Sequence, residues 1–288
     1  MPLNTSKTER AEQAAIDLHD KLLLERRTRT EFTRFFRGVA SDLEAFTAET
    51  GQAPSVNQYA DEVRGLLATA DRRTAERFGG SATDFLTEQA DNEDDDLIAA
   101  FIILAAAVDM TYLQFVDSLK FKVRNATRRF IASEISADTI SILNTTQTEI
   151  DISIAAARAD DVNATRQTVA AAAARDINRT SRARADVIAA TVTQKIAEGV
   201  KDIEREQFFE ARNGFSSVTS GIDQIKEREI WETVGDSHVR DAHVEADGQE
   251  KENGFFLVGG EQLRYPGDSA GSPGNTINCR CSAILVID

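Results

Sequence analysis

The amino-acid sequence predicts a mainly α protein: an elongated body of long helices over residues 1–222, followed by a small C-terminal α+β module with a β-hairpin over residues 223–288. Three observations carry that expectation. From Ser81 to Glu198 there is neither glycine nor proline, and no proline lies between Pro54 and Pro266; sheets of that extent would need turns built from those residues. Through the body, apolar side chains recur at steps of three and four, the period of a helix face. From Trp231 onward the texture changes, because both cysteines, two of the three histidines, the single tryptophan, Pro266 and Pro273 all fall there.

Taken in order, Thr5 or Ser6 can cap a first helix, with Glu9 three residues after Ser6 in the pattern in which each side chain satisfies the other's backbone donor. Phe32, Phe35, Phe36, Val39, Leu43 and Phe46 form one apolar stripe on that helix. Arg26, Arg27, Arg29, Arg34 and Arg37 form its opposite face, read first as solvated and second as a contact with DNA or portal. Gly51 and Pro54 end the helix, Val56, Tyr59, Val63, Leu66 and Leu67 resume the period, and Gly79-Gly80 break it again. The acidic run Asp91, Glu93, Asp94, Asp95 and Asp96 complements the positive end of a following helix dipole. Phe101, Leu104, Val108, Tyr112, Phe115 and Leu119 make a core stripe, and Ile188, Val192, Ile196, Val200 and Ile203 make another. Between them, residues 132–185 are rich in Ala, Thr, Asp and Arg, with a thin stripe at Val169, Ala173 and Ile177. Helices of that kind either pack closely through small residues or bury themselves against a neighbouring subunit. Asn213-Gly214, Ser216-Ser217 and Ser220-Gly221 mark a break with turn chemistry before the module. Inside the module, Phe255 to Val258 and Gln262 to Tyr265 flank Gly259-Gly260-Glu261 as a hairpin, and Ser282 to Ile287 reads as a last apolar strand.

Composition bounds the function. A formal net charge of -15 over 288 residues argues against nonspecific coating of nucleic acid, while leaving room for local basic clusters. Two cysteines in one Cys-x-Cys give no disulfide framework, which fits synthesis in a reducing cytoplasm. The opening MPLNTSKTER lacks the apolar core of a signal peptide. The apolar run Leu97 to Val108 falls short of the ~20 residues that span a bilayer, so no membrane role is expected.

The module's chemistry centres on His243, Cys279 and Cys281. Residues two apart on an extended strand share a face, so both sulfurs can meet one imidazole on a zinc ion, with Asp236, Asp247 or His238 as candidate fourth ligands. A disulfide across so short an offset is geometrically poor. The plainer alternative is a pair of small buried thiols beside a hydrogen-bonded core histidine. Trp231 suits a core anchor, Arg240 an ion pair with Asp236 or Asp247, and Asp247-Gly248 and Tyr265-Pro266-Gly267-Asp268 suit turns.

The order Trp231, Asp236-x-x-Val239-Arg240-x-x-His243-x-x-x-Asp247-Gly248, Phe255-Phe256, Arg264-Tyr265-Pro266-Gly267-Asp268 and Asn278-Cys279-Arg280-Cys281 resembles the C-terminal domain of phage minor head proteins, the Mu F-like head-morphogenesis family. Upstream the likeness fades: where the family carries Ile-Ala-Arg-Thr-Glu, this chain has Ile188-Ala189-Ala190-Thr191-Val192. The resemblance implies a structural, non-enzymatic minor head protein of a tailed bacteriophage, associated with the portal and other head proteins and assisting head morphogenesis and genome packaging or delivery. It implies several copies per virion, contact with packaged DNA, and a life in the host cytoplasm during assembly and in the phage head afterwards.

An enzyme is the alternative. A zinc nucleobase deaminase needs one histidine and two cysteines on the metal and a glutamate that shuttles protons, and His243, Cys279, Cys281 and Glu245 supply those residue types. Its cysteines belong to Pro-Cys-x-x-Cys at a helix start, whereas this chain has Asn278-Cys279-Arg280-Cys281 before a strand. His238 and His243 are five apart and lack the four-residue step of a metalloprotease helix.

Overall fold

A computed structural model describes residues 6–79, 105, 110–213 and 227–287. The expected mainly α architecture is what it shows. Among the described residues, four long helices, α1 (Lys7–Thr50), α2 (Ala60–Phe78), α3 (Tyr112–Asp160) and α4 (Arg166–Asn213), precede β1 (Glu227–Glu232), the short α5 (Asp241–Ala246), the hairpin strands β2 (Phe256–Val258) and β3 (Glu261–Leu263), the single turn α6 (Pro273–Thr276) and β4 (Ser282–Ile287). Among the described residues no helix is long and apolar enough to cross a membrane. The acidic run at 91–96, most of the apolar run after it, and the expected boundary near residue 222 lie outside the described residues.

The start of α1 is the expected reciprocal cap: Ser6 N donates to Glu9 Oε2 at 2.6 Å and Glu9 N donates to Ser6 Oγ at 3.3 Å. The break between α3 and α4 contains no glycine or proline and was not anticipated. Asp161 makes it, accepting from Asn163 N at 2.9 Å through its side chain and from Ala164 N at 3.0 Å through its carbonyl, and Thr165 Oγ1 then caps α4 at Thr168 N. An Asx turn followed by a threonine cap does the work usually given to glycine.

The chain forms two compact units, and the division falls inside all four long helices: residues 1–21, 73–130 and 194–288 form the first, residues 22–72 and 131–193 the second. The second unit is a helix-periodic core. Phe32, Phe35, Phe36, Val39 and Leu43 are buried on α1, the phenylalanine rings pack at centroid distances of 5.1–6.3 Å, and Tyr59 meets Phe35 edge-on at 5.8 Å. On α4, Val169, Ala170, Ala173, Ala174 and Ile177 are all buried within the chain, and further along Arg184 lies over the Phe36 ring. The alanine-rich segment therefore packs closely through small residues, the first of the two options its composition allowed. Arg158 and Arg166 donate to the carbonyls of Gly51 and Glu49 at the carboxyl end of α1, where cations complement the dipole.

The first unit holds the terminal module. Here β1 pairs antiparallel with β4, setting Trp231 opposite Ala283 and Glu232 opposite Ser282. The charged sequence Glu227-Arg228-Glu229-Ile230-Trp231-Glu232 gave no strand signal, and its partner, more than fifty residues on, supplies the ladder. The β2–β3 hairpin closes through Gly259 and Gly260 at φ 58° and 82°, the two positive angles that a two-residue turn of this hand requires. Its inward residues Phe256, Val258 and Leu263 join Trp231, Ala246, Cys279, Cys281 and Ala283 in one buried cluster.

Candidate metal centre

Three elements deliver the functional side chains into that cluster. α5 is six residues long and turns His243 and Ala246 inward, leaving Val244 and Glu245 exposed. β1 brings Trp231, fully buried, whose ring meets the His243 imidazole edge-on at 5.5 Å and Phe256 at 5.3 Å. The third element is the tight turn into β4. Asn278 sits at φ 54°, a left-handed angle that asparagine tolerates better than most residues, and Cys279 N closes the turn on Thr276 O at 3.3 Å. Cys279 and Cys281 then face inward together, and Arg280 between them points out to pair with Asp236 at 2.9 Å.

The result is a three-donor face. His243 Nδ1 lies 3.4 Å from Cys281 Sγ and 3.8 Å from Cys279 Sγ, and the three ligand atoms lie within 4.8 Å of one another. All three residues are about 98% buried or more. Among the described residues the imidazole is held by its Nδ1 edge, and its buried Nε2 finds no hydrogen-bond partner. The two thiols titrate unequally. A hydrogen bond from the neighbouring Cys281 thiol, working against burial and helped by His243, draws Cys279 down to about 5, whereas the same contact and burial push Cys281 well up. Two sulfurs and an imidazole with no bulk water are a soft donor set that could hold a transition-metal ion.

The other residues singled out in the sequence hold the module's frame. Asp247 accepts from Thr233 N and Thr233 Oγ1 at 3.0 Å each and pairs with Lys7, and Gly248 N donates to Trp231 O at 2.8 Å. Asp268, wholly buried, accepts from Arg264 N, Nε and Nη2 and from Ala270 N; burial pushes its carboxyl up, and these donors hold it below the ordinary carboxylate value. Tyr265 to Asp268 form the expected turn, with Gly267 at φ 88°, and Pro266 O accepts from Gln194 Nε2 at 3.2 Å. Arg240 departs from expectation. It donates to Ile277 O and pairs with neither Asp236 nor Asp247, because Asp236 is taken by Arg280 and His238 while Lys7 and Thr233 occupy Asp247. Asp236, Asp247 and His238 therefore stand apart from the cluster, and no fourth histidine, cysteine or carboxylate joins it among the described residues.

Sequence reasoning missed what holds the cysteine strand in place. Lys21 Nζ, 1% exposed, donates to Cys281 O at 3.3 Å and Ser282 Oγ at 3.2 Å and pairs with Glu198 at 2.7 Å. Gln194 Nε2 also donates to Cys281 O, at 2.7 Å, and Glu198 Oε2 accepts from Ala283 N at 3.0 Å. Beyond them Lys201 bridges Glu198 and Asp17, Arg205 pairs with Glu229, and Lys251 pairs with Glu229 and Asp202. Among the described residues these pairs form two ionic clusters, Lys21 and Lys201 with Glu198 and Asp17, and Arg205 and Lys251 with Glu229 and Asp202. Burial pushes the Glu198 carboxyl up, but Lys201 and Lys21 together pull harder and leave it at about 2. At Asp202 burial wins over Lys251, and the carboxyl rises to about 6. The only trace in the sequence is four charged residues placed at inward-facing steps of α4, a signal that periodicity scored as surface.

No protein-family model and no solved structure matches the chain. The chain is similar to an uncharacterized protein of Haemophilus influenzae, 29% identical over 112 residues, which cover 35% of this chain and 23% of that protein. The chain thus spans about a quarter of the length of that relative.

Proposed function

We propose that the chain is a structural minor head protein of a tailed bacteriophage, associated with the portal or capsid and assisting head morphogenesis and genome packaging or delivery. The observation that carries this is spatial. The islands that resemble the Mu F-like module are scattered over more than fifty residues of sequence, and Trp231, His243, Cys279 and Cys281 from three of them converge in one buried cluster. Asp247, Asp268 and Arg280 from the same islands tie the loops around it. A module that uses its distinctive residues for its own cohesion suits a part that must survive in a particle. The long helices supply partner-contact surface. The test is copurification of the full chain with the portal protein of the same phage, as free subunit and as assembled ring, together with mass spectrometry of purified particles. Association and presence in the particle are expected; absence from both contradicts the proposal.

The centre itself is best suited to zinc. Tetrahedral zinc at ordinary bond lengths separates a nitrogen ligand from a sulfur ligand by about 3.6 Å, and the two distances here are 3.4 and 3.8 Å. Bound there, a metal ion would supply cohesion: it would fix both thiolates and the imidazole and cross-link α5 to the strand after residue 278. Glu245 points to solvent from the outer face of α5, so the deaminase-type alternative lacks its proton-shuttling carboxylate at the cluster.

A further inference from the structure

The second unit carries a feature that cohesion does not use. Its basic residues are all arginine, with no lysine among residues 22–72 and 131–193. On the face of α1 opposite the buried phenylalanines, Arg29, Thr30, Thr33, Arg34 and Arg37 meet Arg182 of α4 around an open groove of about 370 Å³. The Thr30 and Thr33 hydroxyls are turned back onto the carbonyls of Arg26 and Arg29. The guanidiniums are therefore the groove's available donors. Arg29 shares its charge with Asp186 at 3.0 Å, while Arg34, Arg37 and Arg182 are exposed and make no ion pair among the described residues. Keeping several like charges around one hollow without a carboxylate in its lining costs free energy, and a bound polyanion would recover it.

We propose that this groove binds the phosphodiester backbone of nucleic acid. Guanidinium forks match phosphate oxygens two at a time and shed water more readily than ammonium groups. Arg27, Arg34 and Arg37 extend the charge over ten residues of α1, about 15 Å at the helical rise, which covers two to three phosphates of a strand. An acidic protein segment would offer carboxylates to the same forks, but protein interfaces are built around an apolar or aromatic centre, and this lining contains only arginine and threonine. The chain's overall charge of -15 weakens long-range attraction without cancelling the groove, because screening confines each charge to about 8 Å at physiological salt. Contact is thus local, few-phosphate and indifferent to base sequence.

The test uses the full chain and a fluorescent double-stranded oligonucleotide of mixed sequence, titrated from about 50 to 200 mM salt. Affinity is expected to fall with a log–log slope of about -3, near -0.9 for each phosphate neutralised. The Arg34→Ala, Arg37→Ala, Arg182→Ala triple variant should bind at least tenfold more weakly at the low-salt end, with a slope shallower by two or more. Arg64→Ala, an exposed arginine elsewhere in the same unit, should bind like the parent. Replacing the same three arginines by lysine keeps charge and fold and should retain most of the slope with reduced affinity. Three results overturn the proposal: no salt-dependent binding at 50 mM, a triple alanine variant that binds like the parent, or polyglutamate displacing the probe as well as unlabelled oligonucleotide does.

Discussion

The two units solve the same problem with opposite chemistry. The second buries phenylalanines and alanines along helix-periodic stripes, lays the Arg184 guanidinium, paired with Glu149, over the Phe36 ring, and leaves Arg34, Arg37 and Arg182 exposed. The first buries ion-paired carboxylates and cations, two thiols and an imidazole beside its strands. An apolar helix core is forgiving, since each side chain contributes separately and roughly by area. A buried ionic and sulfur core is conditional. Each member depends on its partner being present and correctly charged, so loss of one leaves another stranded.

The largest expected effect breaks the conditional side of that contrast. Glu198→Gln removes the carboxylate that Lys21 and Lys201 share inside the protein, and denaturant titration should show a loss of about 3–5 kcal/mol. The matching change in the second unit, Asp186→Asn beside half-exposed Arg29, should cost no more than about 1 kcal/mol. Equal losses at the two sites would erase the distinction.

Acid should act on the same group next. With Glu198 at about 2 against an ordinary 4.5, its stabilisation is complete above pH 4.5 and fades as pH falls toward 2, on the order of 3 kcal/mol in all. Asp202 works in reverse. At about 6 against an ordinary 3.8, it keeps its proton in the folded protein while the unfolded chain releases one, so its contribution favours folding at low pH and is lost as pH rises from about 4 to 6. Thermal melts across pH 2 to 7 should therefore steepen below 4.5 in the parent and flatten there in Glu198→Gln.

A smaller effect sharpens the contrast from the helix side. Gly199 lies within α4, where a Cβ would stand 2.4 Å from Phe130 Cζ and 3.1 Å from the Tyr265 hydroxyl. Alanine normally strengthens a helix interior by up to about 1 kcal/mol. At this position Gly199→Ala should instead destabilise by about 1–3 kcal/mol through overpacking, measured by thermal melts.

How far the sequence revealed this follows from the same contrast. Ser6 with Glu9, the Phe32–Phe35–Phe36 stripe, Gly51 and the Gly259-Gly260 hairpin turn were all legible, because each is decided by neighbours within a few residues. The α3–α4 break was missed because Asp161 and Thr165 replace the usual breakers, and β1 because its partner strand is distant in the chain. His243, Cys279 and Cys281 stood out as rare residue types in the right order, and they meet. Lys21, Glu198 and Lys201 did not stand out, since a charge at an inward step of a helix is indistinguishable in sequence from one that faces water. Arg240 was misassigned for a related reason: a guanidinium beside carboxylates in sequence found a backbone carbonyl in space.

The decisive measurement is the metal content of the purified full chain, paired with its melting temperature before and after chelation. One zinc per chain is expected, absent from Cys279→Ser and from His243→Ala, with chelation lowering the melting temperature of the parent and leaving the variants unmoved. A chain that carries no stoichiometric metal and melts at the same temperature with Cys279 or with serine would contradict the proposed zinc centre.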